Sequence, residues 1–153
     1  MKRSIKGQHI AEFGPALLIA IPLIAIMLSC LSLGAGVGAL ALGSQHAARE
    51  AAATGTYTLA ETRVNENLAT LTGPIGQFGG IQNGRLLLTV EESPTGDTNF
   101  IQHPRGGSID PANKVYRYKV RGECQIKPIF WWFTVPCVYE ATGIVEHPEG
   151  LGV

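Results

Sequence analysis

Charge is what this chain has least of. Charged residues make up 16% of its 153 residues, against roughly 25% in soluble proteins. The shortage is local, because residues 13–43 contain no Asp, Glu, Lys or Arg. About 20 apolar residues carry a helix across a bilayer, so this run spans one with length to spare. Site motifs are missing too. No GxSxG or P-loop sequence is present, which removes nucleophile-elbow and phosphate-cradle chemistry, and the glycine-rich segment 73–84 holds no GxGxxG following a strand. His9, His46, His103 and His147 are scattered and never stand at metal-ligand spacing. With three cysteines and no CxxC, neither a zinc site nor a thioredoxin-like motif is indicated. The formal net charge is zero and no basic aromatic patch appears, so a nucleic-acid partner is not expected. Catalysis, a cofactor and a bound metal are likewise not expected.

What is present divides sharply. A basic head of Lys2, Arg3 and Lys6 precedes the uncharged run, and the segment after it opens with the balanced pair Arg49 and Glu50. The positive-inside rule then puts the head in the cytoplasm and exports everything after about Gly43. The expected organisation is a cytoplasmic leader at 1–7, a transmembrane helix at 8–43, an amphipathic exported helix at 44–72 and a β-rich exported module at 73–153. Without the three basic residues of the head, nine basic residues face 12 acidic ones, and the exported chain is acidic.

Glu12 stands at the lip of the apolar run, where a carboxylate is expensive unless something uses it. Three readings of this N-terminus compete. An ordinary secretory signal is suggested by Ala39-Leu40-Ala41, but the apolar region is far longer than the roughly 7 to 15 residues such signals carry. A lipoprotein signal is suggested by Met27-Leu28-Ser29-Cys30, although apolar residues continue past Cys30 through Leu42. In the third reading the chain is cut after Gly7, before the apolar segment, which then stays as an anchor. The uninterrupted span fits this reading best. Gly7 offers a closely approachable backbone to a peptidase, Gln8 becomes the new N-terminus with its α-amine, and Glu12 becomes the fifth residue. The acid then either pairs with a cation, as buried charges in lipid do, or sits solvated at headgroup level.

Gly7-Gln8, Glu12-Phe13, the prolines Pro15 and Pro22, and Ala47-Ala48-Arg49-Glu50 occur in the order found in TadE-like pilins, which the chain resembles. It departs from that pattern in its two prolines and in lacking a second acid late in the span, which leaves TadG-like relatives and type II secretion pseudopilins as rivals beside a lipoprotein or simple anchored binding domain. The resemblance implies a minor pilin or pilus-assembly protein of a Tad or type IV-like pilus, held in the inner membrane by one pass with its C-terminus outside. It implies processing by a prepilin peptidase at Gly7 and Gln8, and assembly with other pilin or pseudopilin subunits through Glu12, paired to a neighbour's N-terminal amine, and the adjoining Phe13. Membrane lipid is the remaining partner.

Within the span, Gly34 and Gly38 form a small-xxx-small pair. This is either a surface on which helices pack closely or a glycine-rich, easily bent exit from the membrane. Beyond it, Ser44 is expected to cap a second helix whose apolar positions Tyr57, Ala60, Val64, Leu68 and Leu71 line one face, with an interruption at Thr54-Gly55-Thr56. Segments 85–92, 115–122 and 138–146 carry the alternation of strands, and the stretches 73–84 and 93–114 read as loops. The fold class is therefore α+β, a long N-terminal transmembrane helix continuing into an amphipathic helix packed on a small antiparallel β-sheet. Cys124 and Cys137 flank a loop that a disulfide would close in an oxidising compartment, stabilising it by roughly 3 kcal/mol; the alternative is two reduced, buried thiols. Inside that loop, Ile129-Phe130-Trp131-Trp132-Phe133 either plugs the small core, the simpler expectation, or presents a sticky surface to a membrane or partner.

Overall fold

The computed structural model describes residues 5–152, with side chains described from Phe13 to Leu151 except Thr70. It is an α+β protein whose elements run α1 (Ile5–Ala52), α2 (Tyr57–Glu66), α3 (Leu68–Thr72), α4 (Pro74–Phe78), β1 (Ile81–Pro94), β2 (Ile101–Gln102), β3 (Lys114–Ile126) and β4 (Val135–Ile144), closed by a 3-10 turn at Pro148–Gly152. Expected leader residues 1–4 lie outside the described residues.

Helix α1 is a single 48-residue element that continues through Pro15 and Pro22. The expected restart at Ser44 does not occur. Ser44 is fully buried inside α1, on the face that meets the sheet, where it packs over Gly122 and its hydroxyl has no hydrogen-bond partner, so it caps nothing. The break falls instead at the predicted Thr54-Gly55-Thr56 interruption. Thr54 turns back to donate its hydroxyl to Ala51 O at 2.6 Å, Thr56 caps α2 by accepting from the Leu59 N–H, and the Glu146 N–H satisfies the Ala52 carbonyl at the end of α1. What reads in sequence as one amphipathic helix over 44–72 is thus the tail of α1 followed by two shorter helices, α2 and α3.

Four strands form one antiparallel sheet in the order β2-β1-β3-β4. Strand β3 alternates as its sequence demands: Tyr116, Tyr118, Val120, Cys124 and Ile126 are buried, while Arg117, Lys119 and Arg121 face outward. The outward face is laced by ion pairs, with Arg117 on Glu91 at 2.7 Å and Lys119 on Glu140 at 2.8 Å across strands, and Arg121 on Glu123 at 2.8 Å along β3. Sequence reading placed only loops at 73–84 and 93–114. Pro74 at N1 starts the short α4 there, β1 begins at Ile81, and β2 adds a two-residue edge pairing Glu91 with Gln102.

The core lies between the inner face of the sheet and the second half of α1. Leu40, Ala47, Ala48 and Ala51 are buried against Tyr116, Tyr118, Val120 and Leu86. Small residues allow the close approach. A Cβ at Gly143 would sit 2.6 Å from the Ala48 carbonyl oxygen and 2.9 Å from Ala52 Cβ, and one at Gly122 would strike Leu40 and Ser44. Ala47 and Ala48 of the Ala-Ala-Arg-Glu stretch therefore serve the helix–sheet seam, while Arg49 and Glu50 face outward.

Candidate functional site

Among the described side chains, those in the first half of α1 have no covering. Gly7, Gln8 and Glu12 lie on its opening turns, and their side chains fall outside the described residues. From Phe13 onward the apolar side chains stand free. Phe13 is 64% exposed and Leu18 76%, with Ile19, Ile21 and Met27 similar. Ser29 is the first buried residue. The helix is long and apolar enough to cross a membrane. Its uncovered part ends where the module begins.

That boundary is built from two serines one turn apart. The Ser29 hydroxyl donates to Ala25 O at 2.7 Å and to the Ile129 carbonyl. Ser32 Oγ accepts the Ile129 N–H at 3.1 Å while donating to Ser29 O. Both backbone groups of Ile129 are thereby satisfied by the helix, and the segment joining β3 to β4 is pinned to α1. The motif reading meets Ser29 only as part of Met27-Leu28-Ser29-Cys30 and passes over Ser32; the available signal is their spacing, i and i+3, inside an otherwise apolar run. The aromatic cluster follows. It does not plug the core: Phe130 is 68% exposed and Trp132 91%, with Trp131 and Phe133 also on the surface. The core is already filled by Tyr116, Tyr118 and Ile126, which leaves these rings no room inside. Trp131 and Phe133 stack edge to face at 4.5 Å. Phe130 takes a left-handed φ of 67° in a turn closed by the Trp131 N–H to Pro128 O at 3.2 Å.

Gly34 and Gly38 lie on the side of α1 turned away from the sheet, and an added Cβ at either would meet nothing within 4 Å. The tight glycine crossing is elsewhere, between Gly36 and Gly79, where α4 presses on α1. Cys124 and Cys137 are directly opposed across β3 and β4. Both are free thiols, so the expected disulfide is not formed in this structure. The backbone ladder already aligns the two strands, and the sulfurs pack as small apolar groups beneath it. Burial pushes the Cys124 thiol up to about 11 and raises that of Cys137, which keeps both protonated near neutrality.

At the far end of the sheet, Glu92, the last residue of the expected strand 85–92, forms a cluster with His103 and Lys114 of the stretch 93–114 that reads as a loop. His103 Nδ1 lies 2.7 Å from Glu92 Oε2, and Lys114 Nζ 2.9 Å from Glu92 Oε1. The Lys114 hydrogen bond, aided by His103 and opposed by burial, holds the Glu92 carboxyl below the usual carboxylate range. Beside the cluster, a cleft of about 420 Å³ runs under Tyr57, Leu88, His103 and Arg105. Arg105 closes its rim, stacked 4.6 Å from the centre of the Tyr57 ring and paired with Glu61 at 2.9 Å. Among the described residues no group of His, Cys, Asp or Glu is placed to hold a metal ion. These pairings join the cleft's charged groups to one another, although His103 Nε2 is buried with no hydrogen-bond partner; the exposed apolar surface lies elsewhere, on the bare helix and the aromatic loop at its edge. No family model, curated protein or solved structure matches the chain.

Proposed function

We propose that the chain is a TadE-like minor pilin or pilus-assembly protein of a Tad or type IV-like pilus, matured by prepilin peptidase cleavage after Gly7. One observation carries the reading: α1 is a single helix whose described side chains are bare and apolar in its first half, and whose second half is the spine of the α+β module. A subunit of this kind is stored in the bilayer by the bare half, and packs the same half against other subunits when it assembles. The open side of α1 at Gly34 and Gly38 suits close helix contact, and Glu12, fifth after the cut, is assigned to the N-terminal amine of a neighbour. The basic head supports an orientation with the N-terminus in the cytoplasm and the module outside the inner membrane. The protein is a substrate of the peptidase rather than an enzyme, and the facing Cys124 and Cys137 suit oxidation to a cross-strand disulfide after export.

The N-terminal mass of the chain recovered from membranes tests this. A chain beginning at Gln8 is the expected result, and Gly7→Phe should block the cut and assembly together. An intact Met1, or lipid on Cys30, would overturn the reading in favour of a plain anchor or a lipoprotein.

A further inference from the structure

We infer that the loop over residues 128–134 is an interfacial anchor, with Phe130 and Trp132 seated in the headgroup–acyl boundary of the bilayer that α1 crosses. The inference rests on the membrane-crossing reading of α1 and adds what holds the module at a fixed depth. Position is the first argument. The uncharged, uncovered residues 13–28 rise about 24 Å as a helix, most of the roughly 30 Å hydrocarbon thickness of a bilayer, and Ser29 and Ser32, the next turn, are the residues that clamp Ile129. The loop therefore lies near the depth at which the helix leaves the hydrocarbon.

Composition is the second. Both tryptophans of the chain lie in this loop, and no charged residue occurs between Lys127 and Glu140. Tryptophan is enriched at membrane interfaces because its ring is amphipathic, apolar in body and with one N–H to give to water or headgroups. Lys127, exposed at the start of the loop, is placed to meet lipid phosphate. One to two helical turns further along α1, Ile75 and Phe78 of α4 extend the apolar surface at the same end of the module.

Construction is the third. A bulky residue at positive φ is strained and persists only where its surroundings impose it. Here the buried Pro128 and the doubly bonded Ile129 impose it, and Phe130 is turned outward. A loop serving only as a connection has no need of a strained turn that exposes aromatic rings.

Because both tryptophans are in the loop and the four tyrosines are not, tryptophan emission excited beyond the tyrosine absorption band reports on it alone. The full-length chain, and a W131F variant that leaves only Trp132, are reconstituted into phosphatidylcholine–phosphatidylglycerol vesicles containing lipids brominated either near the headgroup or deep in the acyl chain. The shallow bromines should remove most of the emission, the deep ones less, and aqueous acrylamide little. Quenching by acrylamide without quenching by bromolipid puts the loop in water and overturns the inference. Protection from both quenchers puts it against a second copy of the chain and overturns it equally. Alkaline carbonate extraction of the same vesicles separates the two levels: release of the chain sinks the membrane reading and the anchor with it, whereas a retained chain with unquenched tryptophan sinks the anchor alone. The wild-type protein gives the same readout should W131F fail to fold.

Discussion

Single residues set how closely α1 lies on the sheet and how the module answers acid. At Gly143 the obstruction to a side chain is a backbone carbonyl, which cannot swing aside. Gly143→Ala should therefore cost about 2 kcal/mol, as overpacking of a close seam does, and lower the urea midpoint measured in detergent micelles. Glu92 has a carboxyl held below its ordinary value of 4.5 by Lys114 first. Its contribution is thus fully present above pH 4.5 and fades as pH falls through the lower folded value. Glu123 and Glu140, lowered chiefly by Arg85 and Lys119, slope in the same direction. Unfolding profiles of wild type and Glu92→Gln should differ by about 2 kcal/mol at neutral pH, the worth of a hydrogen bond to a charged group, and converge as pH falls below the ordinary carboxylate value of 4.5 and through the lower folded one. Parallel profiles would mean that Glu92 is not charged in the fold.

Among the elements, the clamp between α1 and the β3–β4 connection is the most exposed to test. Ser32→Ala deprives the Ile129 N–H of its partner, and a buried donor left unpaired costs about 1–3 kcal/mol. Amide exchange at Ile129 and its neighbours should speed up while that of β3 at Tyr118 stays slow; uniform protection would show that Ser32 does not hold the loop. The elements also differ in how far their sequences announce them. Strand β3 was legible because Tyr116, Tyr118 and Val120 alternate with Arg117 and Lys119, and each set lies on the face its chemistry prefers. The end of α1 was legible at Thr54-Gly55-Thr56, since glycine and two hydroxyl side chains compete with the helix for its hydrogen bonds. Ser44 misled because a serine favours a cap in local terms, whereas tertiary packing over Gly122 decided its place. The Glu92–His103–Lys114 cluster and the Ser29–Ile129 clamp were not legible, because each joins residues far apart in sequence. No local period or motif records such a pairing.

On the scale of the whole molecule, one continuous helix has two kinds of surface. Residues 13–28 expose apolar side chains suited to lipid or other apolar helices, while from Ser29 to Ala52 the same helix is the spine of the folded module. Identical substitutions in the two halves should therefore fail in different ways. Leu18→Arg introduces a charge that costs about 3 kcal/mol at the centre of a spanning helix, yet Leu18 touches no part of the sheet. Such a chain should be released more readily by alkaline carbonate while its module stays as protease-resistant as wild type. Leu40→Arg strikes a side chain that is 1% exposed and lies over Gly122. Loss of that packing, with a charge left in the core, costs roughly 3–5 kcal/mol. The module should become protease-sensitive while the helix stays in the membrane. If Leu18→Arg unfolded the module as well, the two halves of α1 would be coupled, and the bare segment would be part of the fold rather than an anchor attached to it.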